Sequence, residues 1–191
     1  MPYNFKSKVL YEKAFEQNDF IHLSYKTIFV TGATGFLGLW LLRAIEYLNK
    51  NLFLNIKVVV LLRDLGQKKL FSDFANTNIH YIEGSITNFQ FEEIKIDHII
   101  HMAAETSPKK NKDFVEVINT IVNGTIRISN FSKFVKSRSI SYLSSGGVYG
   151  KDCKNKDGWH ENDNCSPKMF DQVATYGLSK KCAENIILHT F

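Results

Sequence analysis

Cysteine is scarce in this chain. Its three residues, Cys153, Cys165 and Cys182, are irregularly spaced and include no Cys-x-x-Cys pair, which excludes a disulfide framework or a zinc site as the organising device. Reduced cysteines in a cytoplasmic protein are the expectation that follows. Long apolar runs are missing too. None approaches the roughly 18 residues of a membrane span, and residues 1–6 lack the apolar core of a signal peptide. The lysines are scattered, so the net charge of +5 is not gathered into the dense basic block of a nucleic-acid-binding face. It describes a solvated surface that would also suit an anionic nucleotide. No internal repeat, low-complexity tract or interdomain linker interrupts the sequence. What remains is 191 residues, 44% apolar and 23% charged, enough for one domain with a substantial core.

The most informative stretch is Ile-Phe-Val-Thr-Gly-Ala-Thr-Gly-Phe-Leu-Gly, from Ile28 to Gly38. Ile28, Phe29 and Val30 read as a buried strand. Gly32, Gly35 and Gly38 follow at intervals of three. Leu37, Leu41, Ala44, Ile45 and Leu48 then repeat at helical spacing, which starts a helix near Phe36. Strand, glycine turn and helix together bind a dinucleotide pyrophosphate. The first glycine allows the tight turn, the second lets the backbone approach the phosphates, and the third lets helix and strand pack closely. The helix N-terminus offers free N–H groups to the anion. Thr34, Phe36 and Leu37 belong to the same turn and are expected to contact the same ligand.

Residues 1–26 form an N-terminal extension, in which Val9, Leu10, Ala14 and Phe15 suggest a short amphipathic helix. Residues 27–191 form the dinucleotide-binding domain. After a link over 49–55, residues 57–62 make a second strand, apolar enough to be buried on both faces. Arg63 and Asp64 follow it. An acid at this strand end would bind the ribose hydroxyls of NAD, and an arginine would accommodate the 2′-phosphate of NADP, so both cofactors stay open. A salt link at the start of a helix is the purely structural alternative. A helix is expected over 66–75, a strand over 79–82, and a turn at 84–86. The strand 98–101 runs into Ala103 and Ala104, small enough for the backbone to approach a cofactor. His101 reads as a packed strand-end residue rather than a catalyst. A long helix over 113–135 carries Gly124 for close packing on the sheet. The strand 140–143 ends in the glycine-rich loop 144–150. Residues 151–172 form a long polar loop with Trp159, His160 and Glu161. A helix over 174–189 carries Tyr176, Lys180 and Glu184. This alternation predicts an α/β fold with a doubly wound parallel sheet, whose ligands bind at the C-terminal ends of the strands.

Four motifs occur in order: Thr-Gly-Ala-Thr-Gly-Phe-Leu-Gly at 31–38, His-x-Ala-Ala at 101–104, Ser-Ser-Gly-Gly-Val-Tyr-Gly at 144–150 and Tyr-x-x-x-Lys at 176–180. Together they resemble the extended short-chain dehydrogenase/reductases, also called the NAD-dependent epimerase/dehydratase family, in their nucleotide-sugar-modifying branch. The resemblance runs from about Lys26 to the C-terminus. It implies a Rossmann fold, NAD or NADP as cofactor and a nucleotide-sugar substrate. A free phenol titrates near 10 and is a poor base at neutral pH, and a neighbouring ammonium favours its ionised form. The i, i+4 spacing puts tyrosine and lysine on one helix face. By the resemblance, Tyr176 exchanges a proton with a sugar hydroxyl as hydride moves to or from the nicotinamide. Lys180 also holds the nicotinamide ribose, and Ser145 binds the substrate oxygen and relays the proton.

The sequence departs from the family pattern at three places. Ser85 stands where an aspartate that contacts the adenine side is common, so the resemblance leaves the backbone of Ser85 and Ile86 to line the adenine pocket, and Ile121 stands where the asparagine of Asn-x-x-Gly-Thr would fall. Gly146 and Gly147 stand where 4,6-dehydratases carry Asp-Glu after the catalytic threonine. Epimerisation or keto-sugar reduction is therefore favoured over 4,6-dehydration, and a non-catalytic dinucleotide-binding module is the alternative of a different class. Family members dimerise through helices matching 113–135 and 174–189, where Ile118, Ile121, Val122, Ile126, Ile187 and Leu188 supply apolar surface. The family also continues past the tyrosine helix into another strand and a C-terminal sugar-binding region. On that resemblance this sequence is expected to be an N-terminal part, truncated after about five strands. By itself such a part would bind dinucleotide weakly, turn over little or no sugar and tend to aggregate.

Overall fold

Residues 17–104, 113–150, 158–163, 165–169 and 174–191 are described in the computed structural model. The helix expected around residues 9–15 lies outside them.

Five strands form one parallel sheet: β1 (Thr27–Thr31), β2 (Lys57–Leu62), β3 (Asn78–Glu83), β4 (His98–His101) and β5 (Ser139–Tyr142), in the order β3-β2-β1-β4-β5. The chain starts at the centre of the sheet, works outward to β3, then returns to β4 on the other side of β1. That reversal opens a crevice beyond the strand ends, the usual ligand position in doubly wound folds. The fold is the expected Rossmann type.

The continuous apolar runs have a direct cause. Ile28 and Val30 of β1, with Val58, Val60 and Leu62 of β2, face one layer, where Leu42, Ile45 and Leu48 of helix α1 (Phe36–Leu52) and the rings of Phe71 and Phe74 cover them. Phe29, Val59, Leu61 and Ile99 face the opposite layer with Phe89, Ile128 and Phe131. A strand covered on both faces has no polar side to show. Phe29 and Phe131 pack with tilted rings, centroids 4.8 Å apart, and Phe89 packs edge-on to Phe131 at 5.3 Å.

Helix α1 extends further than its expected link at 49–55. Asn49 is buried within the helix, and its side chain brackets Ile56. Its Nδ2 donates to Ile56 O at 2.9 Å, and Ile56 N–H donates to Oδ1 at 2.7 Å. The helix end is thereby fastened to the start of β2, and the chain reverses at Phe53, with φ +54. The helix expected over 66–75 is instead a 3-10 helix, Leu65–Phe71, capped by Asp64. Residues three apart eclipse in that winding, which carries Phe71 and then Phe74 onto the same core layer.

The long helix expected over 113–135 is interrupted. Helix α2 (Phe114–Ile118), capped by the Asp113 carboxylate at 3.0 Å from Glu116 N–H, passes into a π-helical turn, Asn119–Asn123, and then into helix α3 (Gly124–Val135). Gly124 does pack closely, as a Cβ there would lie 2.9 Å from Ile86 Cγ1. The wider turn rotates Ile121 inward, against Val117 and Ala183 of helix α4 (Ala174–Leu188). Ile121 is 1% exposed and so is removed from the surface expected to meet a partner. Cys165 is disulfide-bonded, which corrects the expectation that every cysteine is reduced. Cys182 is free and exposed, and Cys153 lies outside the described residues. Among the described residues no helix is long and apolar enough to cross a membrane.

Candidate active site

The turn between β1 and α1 is built for the close approach of main chain. Gly32 has φ +72, and a Cβ there would lie 2.9 Å from Ala103 N. A Cβ on Gly38 would lie 2.5 Å from Ala33 Cα and would collide with Gly32 O. Gly35 donates its N–H to Gly32 O at 3.0 Å and caps α1. A cleft of about 600 Å³ opens over this turn, lined by Gly32, Thr34, Gly35, Phe36, Leu37, Gly38, Arg63, Ser85, Ile86, Ala103 and Ala104. These are all the expected cofactor contacts outside the Tyr176–Lys180 helix. A cradle closed to any Cβ, at the open N-terminus of a long helix, fits a pyrophosphate.

His101 fixes one wall of the cleft from beneath. Thr125 Oγ1 donates to Ile121 O at 2.6 Å, so it accepts from His101 Nε2–H at 3.1 Å. Nδ1 is then the acceptor, and Thr31 Oγ1 donates to it at 2.8 Å. Thr31 Oγ1 in turn accepts the N–H groups of Met102 at 3.2 Å and Ala103 at 3.1 Å. Every member is satisfied with a neutral imidazole. Burial, with Lys180 repelling, pulls the ring down to about 3. His101 is thus the packed strand-end residue that the sequence implied, and it also sets the register of the Met102–Ala103 backbone.

Ser145, Tyr176 and Lys180 gather beyond the end of β5. Ser145 caps the 3-10 turn Gly146–Tyr149, its Oγ accepting from Gly147 N–H at 3.1 Å, with its own proton left to donate. Gly147 lies between the serine and the tyrosine, since a Cβ there would be 3.4 Å from Ser145 Oγ and 3.7 Å from Tyr176 Cδ1. Gly177 lets α4 press onto this turn, where a Cβ would collide with Gly147 O. Lys180 is 2% exposed. Its Nζ donates to Leu143 O at 2.7 Å and sits 4.6 Å from the Tyr142 ring centre and 6.0 Å from that of Tyr176. Burial lowers its pKa to about 8, against a smaller upward pull from Glu184. These three residues are not among those lining the cleft; Leu143, which holds Lys180, is.

Other lining residues carry no motif in the sequence, among them Gln67, Glu116, Thr120 and Leu143. Thr120 is the most instructive. Thr120 in the π turn lines the cleft and Ile121 lies in the core, so the cleft-lining residue is one position earlier than the family spacing implies. A mid-helix π turn often marks a functional site.

No curated protein matches this chain. Several solved structures share its fold. MoeE5 in complex with UDP-glucuronic acid and NAD is 25% identical, with a TM-score of 0.65 over 86% of this chain and 49% of that one. UDP-glucuronic acid 4-epimerase from Bacillus cereus, in complex with NAD, is 22% identical, with a TM-score of 0.66 over 86% and 52%. The Bordetella bronchiseptica enzyme WbmG, in complex with NAD, is 21% identical, with a TM-score of 0.64 over 86% and 50%. The chain therefore spans about half the length of each. The family description "NAD dependent epimerase/dehydratase family" matches residues 28–190, nearly the whole sequence, and the chain belongs to that family.

Proposed function

We propose that this protein is an NAD(P)-dependent nucleotide-sugar epimerase or a related sugar oxidoreductase. The observation that carries the reading is the gathering of Ser145, Tyr176 and Lys180 beside the cleft that Gly32 and Gly38 shape. A module that only binds dinucleotide has no use for a phenol, a hydroxyl and a buried amine at the same strand ends. The solved relatives that hold UDP-glucuronic acid or UDP-glucose with NAD support a nucleotide sugar as substrate.

When bound, the nicotinamide supplies reversible two-electron chemistry at a sugar carbon. The protein's part is proton handling and orientation. Tyr176 takes the proton of the sugar hydroxyl and returns it. Ser145 Oγ, anchored as an acceptor by Gly147 N–H, donates a hydrogen bond to the same oxygen and keeps its proton. Lys180 places its amine 6.0 Å from the centre of the Tyr176 ring, on the face of the helix that carries both. Gly146 and Gly147 supply no acid or base for eliminating water. Gly146 has open space around its Cβ position, so its lack of a side chain is not forced by packing, and 4,6-dehydration is the weaker reading. Pairing of two copies through α2, α3 and α4 is a further part of the proposal, supported by the exposed Phe114, Val115, Ile118, Ile126 and Leu188. Sedimentation at micromolar concentration tests it, a dimer being the expected state.

Incubating the protein with UDP-, dTDP-, GDP- and CDP-sugars and either cofactor, and following epimer formation by NMR, tests the main proposal. Turnover of at least one nucleotide sugar by the full-length protein is expected. Failure of every form, full-length included, with the whole panel would reject the enzyme reading.

A further inference from the structure

We propose that Tyr142 is a positioning residue of the reaction end: the face of its ring holds the Lys180 side chain in place and keeps it charged, an inference that rests on reading Ser145, Tyr176 and Lys180 as the acid–base group. Tyr142 is the last residue of β5, and no motif in the sequence marks it. In the sheet register it lies beside His101 of β4, with ring centres 5.3 Å apart. The ring also packs against Val117, Ile121 and Ala183, so it is clamped between β4 and the helices. Lys180 Nζ lies over this ring, 4.6 Å from its centre. The next carbonyl along the chain, Leu143 O, accepts from the same amine at 2.7 Å. One strand end therefore grips the amine twice. The Tyr176 ring centre is farther away, at 6.0 Å, the outer limit of a cation–π contact.

Tyr142 contributes its ring and not its hydroxyl. The Oη is buried without a hydrogen bond of normal geometry. Thr125, the hydroxyl near it, already donates to Ile121 O and accepts from His101 Nε2–H. Burial, with Tyr176 and Glu184 adding to it, pushes the Tyr142 phenol far up, so it stays neutral and is no second proton acceptor. Few groups face Lys180. Tyr176 and Glu184 come from its own helix, Tyr142 from β5 and the neutral His101 from β4. Glu184 favours the ammonium through space, but among the described residues no carboxylate forms an ion pair with Lys180. A buried amine without a counter-ion gives up its proton unless dipoles or π faces replace the lost water. Leu143 O supplies the dipole and Tyr142 the π face. The charge of the amine thus depends on the electron density of one ring.

Fluorinated phenylalanines placed at position 142 of the full-length protein test the proposal at nearly constant shape, because each fluorine withdraws density from the ring face. The readout is the titration of Lys180, followed by NMR of its isotope-labelled Cε and assigned by the loss of that signal in Lys180→Met. Tyr142→Phe keeps the ring and removes only the unpartnered hydroxyl, so the midpoint should stay within about 0.3 pH units of the wild type. The mono-, di- and trifluorinated rings should then lower it stepwise, by at least about half a pH unit in all. The alkaline limb of the kcat profile on the accepted nucleotide sugar should move down by the same amount, with KM changed by less than about twofold. A role in packing alone would move neither. A midpoint that is constant across the series, or one that moves while the kcat limb stays, would overturn the proposal. Stepwise titration in a protein that turns over no sugar would instead overturn the reading of the reaction end and leave the contact between Tyr142 and Lys180 standing.

Discussion

Around Gly32 and Gly38 the chain presents main-chain N–H groups and leaves no room for a side chain, with Cβ positions 2.5 to 2.9 Å from neighbouring backbone atoms. Around Ser145, Tyr176 and Lys180 the chemistry falls to side chains: Gly147 N–H of the same turn holds Ser145, Tyr176 and Gly177 of α4 lie against that turn at Gly147, and Leu143 O beyond β5 holds Lys180. The first end is shaped mainly by the β1–α1 turn and is closed by the Met102–Ala103 backbone that lies against Gly32. The second end exists only after β5 and α4 have packed together. Binding and chemistry in this fold are thus separable, and substitutions at one end should leave the other largely intact.

The largest expected effect comes from removing a single oxygen at the reaction end. Tyr176→Phe should lower turnover by about 10²- to 10⁴-fold, the usual yield of a positioned acid–base group. Dinucleotide affinity should change by less than about twofold, because the phenol is not part of the glycine cradle. Initial rates on the accepted nucleotide sugar, with calorimetry on the same preparation, check both halves. A matching loss of affinity would show that the two ends are one site and break the comparison.

Gly38→Ala attacks the opposite end. The added methyl meets Gly32 O and Ala33 Cα, both backbone atoms that cannot rotate aside. Overpacking of this kind costs about 1–3 kcal/mol and occasionally more, so dinucleotide affinity should fall by up to about 100-fold. Thermal melting of the variant should drop as well, because α1 is pushed off β1. Unchanged affinity would mean that the cradle is looser than its geometry implies.

The two ends also differ in how far they can be read without coordinates. The glycine turn was legible because its geometry follows from covalent spacing, and β4 falls at 98–101 as the apolar run implied. Tyr176, Lys180 and Ser145 were legible as residue types in order, but their contacts were not, since Leu143 O and Gly147 reach them only through packing. Helical periodicity hides two further features. A π turn inside 113–135 leaves the apolar spacing nearly unchanged, yet it buries Ile121 and brings Thr120 to the cleft. Apolar residues three and four apart fit a 3-10 helix as well as an α-helix, which is why 66–75 read as α. Gln67 and Glu116 line the cleft with no signal in the sequence, because nothing local marks a polar side chain as facing a ligand.

Lys180 offers a titration that only the reaction end should feel. Burial holds its ammonium down at about 8 against an ordinary 10.5. Between those values the unfolded chain keeps a proton that the folded chain has released, so stability rises with pH across that window. Below about 8 the buried charge is carried in full, and above 10.5 the penalty is gone. Relative to Lys180→Met, the wild type should gain up to about 1.4 kcal/mol of unfolding free energy per pH unit in the window. Denaturant midpoints for both proteins from pH 7.5 to 10.5 check it. A constant difference would mean that Leu143 O and the Tyr142 face keep the amine charged.

The smallest effect tests the boundary between binding and scaffold at the cleft's outer edge. Asp64 sits one residue from Arg63, yet its carboxylate serves the 3-10 helix through Gly66 N–H at 2.7 Å. Removing a capping side chain costs about 1 kcal/mol, so Asp64→Ala should unfold at a lower denaturant concentration by that amount. Its affinities for NAD and NADP should each move by less than about twofold, because the carboxylate does not line the cleft. A small tightening of NADP over NAD is the expected direction, since a negative charge near the 2′ position is lost. If NAD binding falls while NADP binding holds, the carboxylate does reach a ribose hydroxyl. Recognition at this edge would then depend on a side chain that leaves its cap, and the cofactor end would no longer be a preformed site distinct from the side-chain chemistry around Tyr176.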